Sequence, residues 1–262
     1  MNNLLGIYTI WYRDILRFWH DKVRLMGTIT FPLLFLFVFG SGLSARMGSL
    51  GPGIDFAQFM FPGIIGMTVL MSSFTAGVSV VWDREFGFLK EVLVAPISRG
   101  SVAVGKTLGA ATVALLQGLL ILLFAPLIGV SFSLLSILAL VPLMLLLAAA
   151  MGSLGVLLAT RIRSMEAFQA VMQMLLFPMV FLSGVFFPVE GLPAWLNVIT
   201  KLNPATYGIT PIRQVILGVS SSAPFNIDLF GHTMSLWDNV AVLSMFGLVM
   251  LLLAMWSFGN QE

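Results

Sequence analysis

Charge is spaced along this chain in long gaps. Arg24 and Arg46 are separated by 21 uncharged residues, Asp55 and Asp83 by 27, Glu166 and Glu190 by 23, and Asp238 and Glu262 by 23. Each gap can hold the about 20 apolar residues that cross a bilayer as a helix. The longest, Thr107 to Thr160, holds 54, about 80 Å of helix at 1.5 Å per residue. That is too long for one crossing. The run Gly129-Val130-Ser131-Phe132-Ser133, where small and hydroxyl residues interrupt leucine and isoleucine, is the expected break. The pattern predicts an all-α integral membrane protein with six spans, at 25–43, 57–81, 107–129, 134–159, 167–187 and 239–259, and both termini on one side.

The segments between the spans have patterns of their own. In residues 1–24, Leu4, Tyr8, Trp11, Ile15 and Phe18 recur at helical spacing while Arg13, Arg17, His20 and Arg24 gather on another face. This predicts an amphipathic helix. It is expected to lie in the membrane surface, with Trp11 and Trp19 at headgroup depth and Arg13, Arg17 and Arg24 toward anionic lipid; the alternative is a helix packed on its neighbours. Residues 188–236 contain five prolines and several aromatics, which predicts short re-entrant or surface helices, a cap or a gate, rather than a span. Trp195, Phe186 and Phe187 are expected at headgroup level there, as in aromatic belts.

Composition agrees with a membrane protein and narrows the chemistry. Hydrophobic residues make up 59% of the 262 and charged residues 9%, against about 25% charged in ordinary soluble domains. There is no cysteine, and His20 and His232 stand alone, so no metal site and no catalytic constellation is expected. A net charge of +2 gives nucleic-acid binding no support. The position of the basic residues matters more. Arg13, Arg17, Lys22, Arg24, Arg84, Lys90, Arg99, Lys106, Arg161 and Arg163 fall on the side of the termini, and only Arg46, Lys201 and Arg213 on the other. Ten against three places the termini in the cytoplasm by the positive-inside rule. The first apolar stretch follows a long charged aromatic segment, unlike a cleavable signal peptide.

One stretch argues for a different activity. Gly100 to Thr107, GSVAVGKT, fits the phosphate-loop pattern G-x-x-x-x-G-K-[ST], in which backbone N–H groups cradle phosphates and the lysine reaches them. Context opposes it. The stretch ends a cytoplasmic loop and runs into the 54-residue uncharged window, leaving no room for the strands and crossover helices of a nucleotide domain. Lys106 is therefore expected to be an anchor at the inner boundary, its ammonium snorkelling to the interface.

The same loop carries a family resemblance. WDREFGFLKEVLVAPISRGSVAVGK resembles the cytoplasmic loop of ATP-binding-cassette exporter permeases of the type-2 family, through Arg84, Glu85, Gly87, Leu89, Glu91, Leu93, Pro96, Ser98, Gly105 and Lys106. Residues 182–218, with Asn203-Pro204, are similar to that family's segment before the last span. The resemblance implies a non-catalytic permease subunit of the cell (inner) membrane. A separate ATPase chain would use ATP and magnesium, this chain would bind no cofactor, and a second permease copy, or a related permease, would complete the exporter. The cargo it implies is amphipathic: a drug, a lipid or a lipid-linked glycan.

Residues 83–98 are then expected to form a coupling loop helix for the ATPase. Trp82, Phe86, Leu89 and Leu93 recur at i, i+4, i+7 and i+11 as an apolar ridge for a partner's groove, with Arg84, Glu85, Lys90 and Glu91 as its polar rim. Pro96 ends the helix. Within the spans no ionisable side chain is expected, which disfavours the alternative of an ion-coupled carrier. Gln117, Gln169 and Gln173 are candidate cargo contacts, or else hydrogen-bonding glue between helices, the commoner role of such residues. Gly63 with Gly66 and Met67, Gly105 with Gly109, and Gly152 and Ser153 with Gly155 are expected at close helix contacts.

Overall fold

The computed structural model describes residues 3–47, 49–51, 54–87, 97–130, 132–189, 192–218, 226–229 and 231–259. Ten α-helices appear among them: α1 (Asn3–His20), α2 (Lys22–Met47), α3 (Phe56–Ser73), α4 (Thr75–Glu85), α5 (Arg99–Leu122), α6 (Leu134–Arg161), α7 (Met165–Phe181), α8 (Ala194–Leu202), α9 (Pro204–Leu217) and α10 (Leu236–Gly259). Two small antiparallel pairs complete the described elements, β1 (Ser49–Gly51) with β2 (Ile54–Asp55) and β3 (Asp228–Leu229) with β4 (His232–Thr233).

Four stretches are long and apolar enough to cross a bilayer: Phe56–Glu85 through α3 and α4, α5, α6 and α10. Helix α1 and Leu25–Gly40 of α2 meet at a 68° bend and count as a fifth only when the two are taken together as one span. Of the six expected spans, the one at 167–187 is shorter than predicted. It is helix α7, 17 residues and about 26 Å long at 1.5 Å per residue, against about 30 Å of hydrocarbon.

Local chemistry sets the element ends. Ser98, Ser133 and Ser164 cap α5, α6 and α7, their side chains accepting from the N–H of Ser101, Ser136 and Ala167, as helix N-caps do. The expected break after α5 is present: a 3₁₀ turn at Ala125–Ile128 ends on Gly129 with φ 73°. The span predicted as continuous at 57–81 is broken at Phe74. There Ser73 Oγ donates to the Leu70 carbonyl at 2.7 Å and Thr75 Oγ1 to that of Ser72 at 2.6 Å, side-chain bonds that compete with the helix ladder and bend it.

Helix α3 is the axis of the bundle. Phe59, Phe61, Ile64, Ile65, Val69 and Leu70 are fully buried, and α2, α5, α6 and α9 pack around it. Helix α10 lies along α6 and leaves Met245, Leu248, Leu252 and Trp256 exposed, the all-round apolarity of a helix facing lipid.

Small residues permit the close crossings, as expected from Gly155. A Cβ on Gly77 of α4 would overlap the Gly155 carbonyl oxygen of α6 and the Phe168 ring of α7. Gly77→Ala should therefore destabilise the chain by about 1–3 kcal/mol through overpacking. Gly42→Ala, with open space around it, should not. Thermal unfolding of both variants in detergent micelles checks the difference.

Candidate functional site

Four charged side chains meet where α1, α4 and α5 converge. Lys106 lies about two turns into α5 and is 1% exposed. Its Nζ donates to Asp83 Oδ2 at 2.6 Å and to the Ser79 hydroxyl, and stands 3.7 Å from Asp14 Oδ1. Arg13 Nη2 reaches Asp83 Oδ2 at 2.9 Å and Asp14 Oδ1 at 3.3 Å. Two cations face two anions, so the cluster is neutral as a whole. A buried charge is tolerated when paired and hydrogen-bonded in this way.

Two expectations are corrected here. Lys106 does not snorkel to an interface, because Asp83 and Ser79 hold its ammonium inside the protein. Ionisable side chains do occur within the span helices, since Asp83 and Lys106 both lie in them and both are buried. The signal was present in Ser98: a cap there starts α5 early and carries Lys106 into the bundle.

The phosphate-loop pattern has no loop. Gly100 to Thr107 lie entirely within α5, so from about the second turn on the N–H groups are engaged in the helix ladder. The glycines serve packing instead. A Cβ on Gly105 would stand 3.0 Å from Ile10 Cβ, and one on Gly109 3.0 Å from Asp14 Cβ. Their G-x-x-x-G spacing is the seat on which α1 rests against α5, and that seating brings Asp14 to Lys106.

Helix α1 accordingly turns differently from the expectation. Gly6, Ile10 and Phe18 are its buried positions, whereas Leu4 and Tyr8 are exposed. Trp11 Nε1 donates to Thr112 Oγ1 of α5 at 3.0 Å, so Trp11 belongs to the docked face, and Arg13 turns to carboxylates rather than outward. A second apolar face of Leu5, Tyr8, Tyr12, Leu16 and Trp19 is exposed. The guanidinium of Arg17 stands 5.1 Å above the Trp82 ring. The side chain of Arg24 lies outside the described residues.

Of the expected coupling residues, Leu89, Lys90, Glu91, Leu93 and Pro96 lie outside the described residues. Helix α4 ends at Glu85, and Gly87 takes φ 79°. Trp82 lies in the last turn of α4 and Phe86 just beyond it; the Leu89 and Leu93 half of the expected ridge lies outside the described residues. Phe86 is exposed and stacks edge-on against Trp82 at 5.3 Å. Arg84 points back into the bundle, its Nη1 donating to the carbonyls of Ala159 and Ile162 at 3.0 Å each, where α6 ends and leaves acceptors open. Ser98 caps α5, and its N–H donates to Asn3 Oδ1 of α1 at 3.0 Å. Both ends of the 88–96 segment are thus tied to neighbouring helices.

The three glutamines separate. Gln169 and Gln173 are exposed on α7, Gln169 at a cavity of about 370 Å³ that Asp14, Arg17, Asp21 and Trp82 also line. Gln117 is 1% exposed, and its amide has no hydrogen-bond partner, which removes it from the role of interhelical glue. At the opposite end Asn203 Nδ2 donates to the Met179 carbonyl at 2.7 Å while its Oδ1 accepts from the Ala205 N–H, so Asn-Pro ties α9 to α7. Arg213, also 1% exposed, donates to the Gly184 carbonyl at 2.6 Å and lies 4.3 Å over the Phe59 ring. Phe186 sits in a cluster with Phe35 and Phe181, at 5.3 and 5.0 Å; Trp195 is exposed.

The class this defines is a multi-pass helical membrane protein with four paired charges clustered at one end of the bundle. The model of the ABC-2 type transporter family matches residues 6–217, and the chain belongs to that family. It is 30% identical over 239 residues to a protein of Cyanophora paradoxa described as the transport permease ycf38, covering 88% of this chain and 81% of that one. Nodulation protein J of Rhizobium leguminosarum bv. viciae is 28% identical over 218 residues, 82% and 83% of the two chains. The inner membrane transport permease YadH of Escherichia coli strain K12 is 29% identical over 224 residues, 82% and 84%. The chain is thus a transport permease by family.

Lys106→Ala leaves Asp83 and Asp14 sharing the single cation of Arg13 and should cost about 3–5 kcal/mol of stability, as breaking a buried ion pair does. Lys106→Met combined with Asp83→Leu should recover most of that, since Arg13 and Asp14 remain as a matched pair. Thermal unfolding in micelles compares the two.

Proposed function

We propose that this chain is the membrane half of an ATP-driven exporter. A separate ATPase chain, using ATP and magnesium, docks on the segment joining α4 to α5, and two permease copies, or this permease and a related one, form the passage. The cargo is amphipathic: a drug, a lipid or a lipid-linked glycan. The chain crosses the cell membrane six times, with α7 as the fifth crossing and both termini in the cytoplasm.

The observation that carries this reading is the anchoring of that segment at both ends. Arg84 grips the end of α6, Ser98 begins α5 and bonds α1, and the Lys106 cluster joins α1, α4 and α5. A push on residues 88–96 therefore reaches four helices at once, the kind of discrete rigid-body shift that switches a bundle between two packings. Ten basic residues on the side of the termini and the name of YadH, an inner membrane permease, support the orientation and the membrane. The buried Lys106–Asp83 pair is a feature that an ion-coupled carrier would also use. Its charges are matched by Arg13 and Asp14, which favours a structural tie.

Leu89→Asp puts a charge where an apolar contact with the ATPase is proposed. Burying it costs several kcal/mol, and about 1.4 kcal/mol is a factor of ten in association. The tagged variant should reach the membrane at the normal level yet retain under about a tenth of the ATPase that co-purifies with the wild-type chain. Equal retention, or no ATPase with the wild type, overturns the proposal.

A further inference from the structure

Gln117 lies eleven residues beyond Lys106 on α5, about 16 Å further along the axis. Neither its Oε1 nor its Nε2 has a hydrogen-bond partner, and the same is true of the buried Ser72 Oγ on α3. These two side chains line one cavity of about 230 Å³ between α2, α3, α4 and α5. Thr28, Thr68 and Thr75 line it too, and their hydroxyls donate to the carbonyls of Leu25, Ile64 and Ser72, which leaves each oxygen free to accept. Phe31, Met67 and Met71 supply an apolar wall. Among the described residues, no Asp, Glu, Lys or Arg lines the cavity.

A buried primary amide with all its bonds unmade is costly, most of all at membrane depth, where the surrounding hydrocarbon offers no replacement. The lining also specifies what would satisfy it. Several oxygens accept, while the amide Nε2 and the Ser72 hydroxyl donate, so the complement must both donate and accept. With no ionic side chain present it must be neutral. The volume, several times the about 30 Å³ of one water, suits a ring-sized polar group.

We infer that this cavity is a binding site for the uncharged, hydroxyl-bearing group of an amphiphile. Gln117 and Ser72 make its hydrogen bonds, and Phe31, Met67 and Met71 cover its apolar part. The inference rests on the exporter reading in one respect, that such an amphiphile is the cargo.

The test uses the full chain in phosphatidylcholine nanodiscs and a decyl glucoside carrying a diazirine in its alkyl chain, below its micelle concentration. Saturable labelling of α3 and α5 peptides is expected, competed by plain decyl glucoside but not by decyl sulfate or decyltrimethylammonium. Gln117→Leu and Ser72→Ala should each weaken the binding about five- to tenfold, the worth of a hydrogen bond. Gln117→Leu should melt no lower than the wild type, because it removes an unpaired amide. Ser72→Ala carries the test where the larger change fails to fold. Labelling that does not saturate, that charged competitors displace equally, or that both variants keep at wild-type strength overturns the site and leaves water or lipid in the cavity. No ATP enters this measurement. Loss of the glucoside site in a chain that still co-purifies an ATPase sinks the inference alone, whereas glucoside binding by a chain that co-purifies none leaves the site standing and removes the exporter.

Discussion

Burial of the Lys106 ammonium is the constraint on which the rest of this structure depends. A lysine two turns inside a span helix, 1% exposed, needs a carboxylate at hydrogen-bond distance, and Asp83 at the end of α4 supplies it at 2.6 Å. One carboxylate shared by Lys106 and Arg13 leaves an excess of positive charge, and Asp14 of α1 balances it. Helix α1 must therefore sit against α5, and it fits because Gly105 and Gly109 present no side chains there. One neutral cluster fixes α1 to the α4 and α5 helices that come much later in the chain. Removing any member leaves a charge in a place with little water to solvate it.

Much of this was legible in residue order, and what was not has definite physical causes. Uncharged windows located the four stretches long and apolar enough to cross a bilayer, Gly129 to Ser133 marked the break after α5, and small residues marked close contacts, because these depend on composition over short stretches. The turn of α1 did not follow from its periodicity. Both its faces carry apolar residues, and only the glycines of a helix a hundred residues away decide that Ile10 and Phe18 face inward while Tyr8 faces out. Lys106 was misplaced because a lysine at the edge of an apolar window looks like an interface anchor until its partners are known.

The pattern GSVAVGKT shows how a motif loses its meaning with its context. A phosphate loop needs free backbone N–H groups in a curved loop after a strand. Here a serine cap turns the same residues into the first turns of a membrane helix, where the glycines seat α1 and the lysine closes an ion cluster. The features that excluded a nucleotide site built the joint through which a partner's motion would enter the bundle. Membership of the ABC-2 type transporter family and the ties that Arg84 and Ser98 make on either side of residues 88–96 support the proposed division of labour, in which force is generated in another chain and received by this one.

That division of labour is tested most directly by measuring ATP hydrolysis on the purified chain alone, on the chain with whatever ATPase co-purifies, and on a Lys106→Met, Asp83→Leu chain alone. The account predicts no hydrolysis by the chain alone with or without the substitutions, and hydrolysis only when the partner is present. Turnover by the isolated chain, abolished by the paired substitution in a protein that remains folded, would contradict it.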